Sequence, residues 1–164
     1  MITDTINNMK TWKHTLYQLL MQTDLVTLST VSESIPWSSP SYFYSDKSLN
    51  IYLLLDTNSQ HMKNILFLPK AAISLEKSGS QEFSFQLLGN VEIFSPKDIQ
   101  KQQAMYKKLY SLQSSDVEFI NQATDIDWRV IKLSASRFFL FDPTDPSHKQ
   151  ELCLTADVQK LLLN

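Results

Sequence analysis

The chain contains one cysteine, Cys153, and two arginines, Arg129 and Arg137, among 164 residues. A lone cysteine excludes an internal disulfide, and no Cys-x-x-Cys pair exists to hold zinc or run thiol redox chemistry. Cys153 reads as a small apolar filler. The formal net charge is −2 and the lysines are spread along the chain. That excludes the concentrated basic stripe which neutralises nucleic-acid phosphates, and the densest pair, Lys107-Lys108, reads as a solvated helix face. Long hydrophobic runs are missing too. The longest strongly apolar stretches, Ile51 to Leu55 and Phe138 to Phe141, are far shorter than a membrane-spanning helix. Met1-Ile2-Thr3-Asp4 shows no basic segment leading into an apolar core, so no secretory signal is expected. These absences predict no nucleic-acid partner, no membrane partner and a cytoplasmic location.

What is present is apolar and aromatic: 43% hydrophobic residues, with nine Phe, six Tyr and three Trp. Such a composition is not that of a disordered chain. The length suits one domain, 1–164, able to remove roughly 70% of its unfolded surface from water. Residues 5–21 read as a helix, with Met9, Trp12, Leu16, Leu19 and Leu20 on one core-facing stripe. Three strands follow, over Leu25 to Val31, Trp37 to Tyr44 and Leu49 to Leu55. They are separated by the polar breaks Ser32-Glu33-Ser34 and Ser45-Asp46-Lys47-Ser48. Short breaks favour antiparallel neighbours.

Asp56-Thr57-Asn58-Ser59 is a run of helix-capping residues and predicts a short helix at 60–67, ended by Pro69. Ala71, Ile73 and Leu75 then alternate as a strand, and Lys77-Ser78-Gly79-Ser80 turns the chain. Phe83, Phe85 and Leu87 open the next strand, which continues through Val91 and Ile93. Gly89 inside it signals a bulge or a close backbone approach. Ser95-Pro96-Lys97-Asp98 starts a helix running to about 111, and a second helix covers about 115–123. Trp128 to Leu133 and Phe138 to Asp142 read as the last two strands. An irregular tail begins at Pro143, closing with a helix over 156–163. The core therefore spans about 22–142, and the pattern is mostly β with flanking helices, a barrel of antiparallel strands.

This order, with particular residues inside it, resembles the pyridoxamine 5'-phosphate oxidase-like split-barrel family over residues 12–142. Three stretches carry the resemblance. The first is Leu25-Val26-Thr27-Leu28-Ser29-Thr30-Val31 followed by Pro36-Trp37-Ser38-Ser39-Pro40-Ser41-Tyr42-Phe43-Tyr44. The second is Ser59-Gln60-His61-Met62-Lys63-Asn64-Ile65, closed by Pro69. The third is Phe85-Gln86-Leu87-Leu88-Gly89-Asn90-Val91-Glu92-Ile93. The resemblance implies a six-stranded antiparallel split β-barrel that forms a homodimer. It also implies flavin mononucleotide (FMN) bound between subunits, with its phosphate on the strand after the first turn and on the start of the short helix. On the strands it marks Ser39, Ser41, Tyr42, Tyr44, Leu54 and Leu55 as cofactor-binding candidates. Around the short helix it marks Ser59, Gln60, His61 and Lys63, and on a later strand Gln86.

The residues themselves support part of that chemistry. A helix start offers free amides and a favourable dipole to a phosphate, and Lys63 in the first turn adds a charge. The plainest reading is that Ser59 only caps the helix and His61 lies on the surface. A phosphate held by His61 would raise its pKa above the reference near 6.5. Trp37, Tyr42, Tyr44 and the backbone of Leu53 to Leu55 are candidates for an aromatic slot around a flavin ring.

The chain also departs from the family. Members that hold FMN place basic side chains at the positions matching Ser39, Tyr44, Gln60 and His61, none of which is Arg or Lys here, and neutral donors replace a bidentate arginine poorly. Three readings follow. The first is an FMN-dependent oxidoreductase acting on an unknown small molecule. The second is a haem-binding barrel with His61 as iron ligand. The third is a cofactor-free binding or sensing domain. The vitamin-B6 activity itself is not expected, and no catalytic residue is identified. His14, His61 and His148 lack metal-ligand spacing, Asp125 and Asp127 read as a turn, and no Gly-x-Ser-x-Gly elbow exists.

Overall fold

A computed structural model describes residues 14, 16–23, 25–33, 35–76, 84–95, 128–141 and 150–153. The helices expected over 95–111, 115–123 and 156–163 lie outside these residues. So do Met9, Trp12, the turn at 77–80, Phe83, Lys107-Lys108, Asp125, Asp127, His148 and the side chain of Cys153.

Residues 16–22 form a helix, α1, which buries Leu16, Leu19 and Leu20. Next come β1 (Leu25–Ser32), β2 (Ile35–Ser45), β3 (Ile51–Asp56), α2 (Gln60–Phe67), β4 (Lys70–Glu76) and β5 (Ser84–Ile93). The chain then forms β6 (Trp128–Phe141) and β7 (Gln150–Cys153). The strands are ordered β3-β2-β1-β4-β5-β6-β7, and β3 also pairs with β6. Six antiparallel strands therefore close into a barrel, with β7 added beside β6. Alternation fixes the inside: Val26, Leu28, Ile51, Leu53, Ile73, Phe85, Leu87 and Leu133 share one buried cluster with the α1 leucines.

Two expected strands are in fact one. β6 runs unbroken from Trp128 to Phe141, because Ser134-Ala135-Ser136-Arg137 is a bulge rather than a turn. Leu88 faces Arg137 and Gly89 faces Ala135, so Ser136 is the extra residue, and its hydroxyl donates to the Leu88 carbonyl at 3.1 Å. Gly89 meets both sequence expectations. The register shifts beside it, and a Cβ there would collide with the Ser134 carbonyl. The first part of β6 pairs with β3 and the second with β7. The tail expected to be irregular thus contains a strand, which extends the sheet where β3 ends.

Two smaller differences concern β2 and β3. β2 begins at Ile35 and carries Pro36 and Pro40 inside it. This is possible because β3 covers only Phe43 to Ser45 of β2, leaving an edge where a missing N–H is harmless. Leu49 lies in the turn before β3 with φ of 61°. The Asp46 carboxylate organises that turn by accepting from the amides of Ser48 and Asn50 at 2.9 and 3.0 Å.

Candidate functional site

The short helix has the predicted limits, and its ends have the predicted causes. Ser59 accepts from the Met62 amide at 3.2 Å as the N-cap. Leu68, before Pro69, is extended at φ −132° and ψ 103°. The buried face of α2 consists of His61, Met62, Asn64 and Ile65. Two of these four are polar, and buried polar groups need partners.

They find them on β1 and β2. Thr30 of β1 and Ser39 of β2 both lie on the inward-facing side of the hairpin, since Leu28 pairs with Ser39 and Thr30 with Trp37. His61 sits between them. Its Nδ1 lies 3.0 Å from the Thr30 hydroxyl and its Nε2 lies 2.8 Å from the Ser39 hydroxyl. Asn64 Nδ2 donates to the Thr30 hydroxyl at 3.1 Å, and Gln60 Nε2 donates to Asn64 Oδ1 at 2.8 Å. Five side chains form one continuous chain of hydrogen bonds, from Gln60 to Ser39.

His61 is only 5% exposed, so it is not the surface residue of the plainest sequence reading. Burial lowers its pKa from the usual 6.5, because desolvation disfavours the charged ring. At neutral pH the free protein holds it as neutral imidazole.

The amides of Gln60 and His61 have no acceptor among the described residues, whereas those of Met62 and Lys63 bond to Ser59. Two N–H groups at a helix start with no acceptor among the described residues are donors suited to an anion, and the His61 ring links this turn to the Ser39 hydroxyl. Lys63 is exposed on the side of α2 away from His61. The Tyr52 hydroxyl donates to Asp46 at 3.0 Å. Burial and that carboxylate raise its pKa to about 12, so it stays a neutral donor to Asp46.

The remaining candidates are distributed by strand parity. Ser41 follows Ser39 on the inner side, opposite Val26, and Leu55 is buried in the core. Tyr42, Tyr44 and Leu54 lie on the outer side. Tyr42 is 50% exposed, so it is not barrel core. Tyr44 and Leu54 pack on an outer cluster of Tyr52, Phe94 and Val130, with the rings of Tyr44 and Tyr52 6.0 Å apart. Trp37 is 47% exposed on the inner side, so one chain does not gather Trp37, Tyr42 and Tyr44 into a single slot. Gln86 is exposed on β5, across the barrel from β2.

Three residues were not singled out as site residues from the sequence. Thr30 and Asn64 were legible only as parts of longer stretches. The signal was polar residues at 60, 61 and 64, spaced to share one helix side with apolar neighbours. Arg129 pairs directly with Leu55, at the end of β3 that leads to α2, and its guanidinium donates to the Trp128 carbonyl at 2.7 Å. Only strand register reveals that placement.

The donor set fits the phosphate of FMN, with Ser39 and the amides of Gln60 and His61 as the groups that would hold it. The fit is to hydrogen-bond donors; the family's arginines have no counterpart here. Haem fits less well at His61. An iron ligand needs a bare ring nitrogen, and both nitrogens of this buried ring are engaged. His14, the other described histidine, is exposed and bonds Gln18 of α1 at 2.9 Å.

The fold is shared with solved structures. A candidate pyridoxamine 5'-phosphate oxidase from Listeria innocua superposes with a TM-score of 0.63 at 12% identity, covering 77% of this chain and 95% of that one. The chain has the split-barrel fold. A heme binding protein from Mycobacterium smegmatis shares this split barrel with a TM-score of 0.65 at 15% identity, over 88% of this chain and 56% of that one. HutZ, a heme storage protein from Vibrio cholerae, shares it with a TM-score of 0.63 at 13% identity, over 77% and 91%. No family model matches the sequence, and no curated protein matches it. Among the described residues, no helix of the split barrel is long and apolar enough to cross a membrane.

Proposed function

We propose that this split barrel binds FMN and serves as a flavin-dependent oxidoreductase for a small molecule, as a cytoplasmic homodimer. The observation that carries the reading is the Ser39 hydroxyl held by the ring of His61, a residue that opens α2 with an unpartnered amide of its own. These are donors without competing acceptors, which is what a phosphate requires. FMN, when bound, supplies the electron-transfer chemistry, and the protein supplies position and polarity. A single cysteine suits a reducing compartment.

The dimer is supported by the β1–β2 hairpin. Leu25, Val31, Ile35, Trp37 and Tyr42 are large, apolar or aromatic, and exposed along it. Residues 35–42 of β2 also present an edge that no described strand pairs. Ile35 and Trp37 lie on the inner side of the hairpin and Leu25, Val31 and Tyr42 on the outer, and a second copy seated against Ile35 and Trp37 would bury apolar surface and complete a slot around Trp37. Gln86, remote from Ser39 within one chain, can then belong to the site only from the partner.

The test is the absorption spectrum of purified protein, followed by titration with FMN and with riboflavin. The reading expects flavin absorbance and tighter binding of FMN than of riboflavin. Colourless protein that binds neither flavin rules it out. The haem reading has one observation in its favour, that haem-binding and haem-storage proteins share the fold. A strong violet band on adding haem, kept in a His61→Ala variant, would support haem held by a residue other than His61.

A further inference from the structure

Following the hydrogens along the chain of five side chains fixes its direction. Gln60 donates to Asn64, whose amide donates to Thr30. Thr30 is buried at 5% exposure and has a single proton. Its oxygen already accepts from Asn64, and the only acceptor within reach among the described residues is His61 Nδ1 at 3.0 Å. The Thr30 proton therefore goes to Nδ1, and the ring proton must sit on Nε2. Nε2–H donates to the Ser39 oxygen at 2.8 Å. Ser39 has no second partner among the described residues, and it is half-buried. Its own proton is left pointing away from the relay.

We infer that His61 is a positioning residue that fixes the Ser39 hydroxyl as an outward hydrogen-bond donor, so that the site selects an acceptor-only group such as a phosphate oxygen. This rests on the flavin reading for the identity of the ligand, while the relay itself belongs to the free protein. An isolated serine hydroxyl rotates and offers either a proton or a lone pair. Here its lone pair is occupied from behind, and each donor polarises the next. Ser39 thereby becomes a fixed neutral donor, where Arg129 at the end of the β3–β6 pair donates to the Trp128 carbonyl. Thr30 and Asn64 act through His61 and touch no ligand.

The deciding experiment is nitrogen NMR of the full chain labelled in histidine, at about pH 7.5, with His14 and His148 identified by His→Gln variants. The relay requires a protonated Nε2 and a bare Nδ1 on His61. The opposite tautomer would mean that the relay runs the other way and that Ser39 offers a lone pair, which overturns the inference. Binding supplies a second arm. Thr30→Val removes the proton that fixes the tautomer and should weaken FMN about tenfold, with riboflavin changed far less. Thr30→Ser keeps the relay and should restore FMN binding, which separates loss of direction from loss of folding. In a Ser39→Ala background, Thr30→Val should have no further effect on FMN; an undiminished effect would overturn the role of Ser39. Wild-type protein that binds neither flavin rules out the flavin reading, while a protonated Nε2 in the same sample still upholds the relay.

Discussion

The Thr30 hydroxyl lies 3.0 Å from His61 Nδ1, inside the protein, with a sequence separation of 31. A strand and a helix thus meet through a buried polar contact. Protonation of His61 would turn Nδ1 from acceptor into donor and leave the Thr30 proton without an acceptor among the described residues. Its folded pKa lies below the usual 6.5, so between the two values the unfolded chain binds more protons than the folded one. Stability therefore rises with pH across that window. The contribution is complete above about pH 6.5 and fades as pH falls toward the lower folded value. Urea unfolding should show a lower midpoint at about pH 5.5 than at about pH 7.5, and His61→Gln should flatten this part of the slope. The same slope in both proteins would remove His61 from the explanation.

Gly89→Ala should destabilise the barrel by about 1–3 kcal/mol or more. The obstacle is the Ser134 backbone, which cannot swing aside as a side chain could. Chemical denaturation measures the loss. An unchanged midpoint would mean that β5 and β6 separate easily beside the bulge.

Ser45 offers the reverse case. Its hydroxyl is buried and has no hydrogen-bond partner among the described residues. Ser45→Ala removes an unsatisfied group and should leave stability unchanged or raise it by about 1 kcal/mol. A clear loss in thermal unfolding would show that the hydroxyl has a partner.

Lys63 tests where the phosphate charge is felt. It is exposed in the first turn of α2, and an exposed cation is worth about 0.2–1 kcal/mol to a nearby anion. Lys63→Ala should weaken FMN roughly two- to fivefold and leave riboflavin unchanged, as read by fluorescence titration. Equal losses for both would assign Lys63 a structural role.

Trp37 tests the dimer. It is half-exposed on the same side of β2 as the exposed Ile35. Sedimentation at micromolar concentration should show a dimer for the wild type and a monomer for Trp37→Lys, because a charge at the centre of an apolar interface is left unpaired. Wild-type protein that sediments only as a monomer would remove both the dimer and an interfacial flavin.

Local signals made most of the barrel legible in the sequence. Strand alternation marked Ile51, Leu53, Ile73, Phe85 and Leu87 as core, and capping chemistry placed α2 from its first to its last residue. Gly89 announced the crowding at Ser134. What stayed hidden depends on register. Nothing near Ser136 distinguishes a bulge from a turn until Leu88 is known to lie opposite Arg137. Residues 150–153 are too short a run to stand out as a strand, and they form one only because the second half of β6 offers an edge. At the site, His61 stands out in the sequence but its environment does not. A lone histidine on a helix has no marked destination until Thr30 and Ser39, both on other elements, turn out to bracket its ring.

Closure of the barrel has a kinetic side. The hairpin of β1 and β2 joins neighbours in sequence, and so does the β2–β3 pair. The β3–β6 seam instead joins Ile51 to Leu133, about eighty positions along the chain. Loop entropy must be spent before that seam gains a single bond. The hairpins can form early, while the seam waits for both of its edges to exist. Until it closes, β3 and β6 each carry a bare edge beside an apolar face, so the interval before closure is when this chain is most open to pairing with the wrong partner.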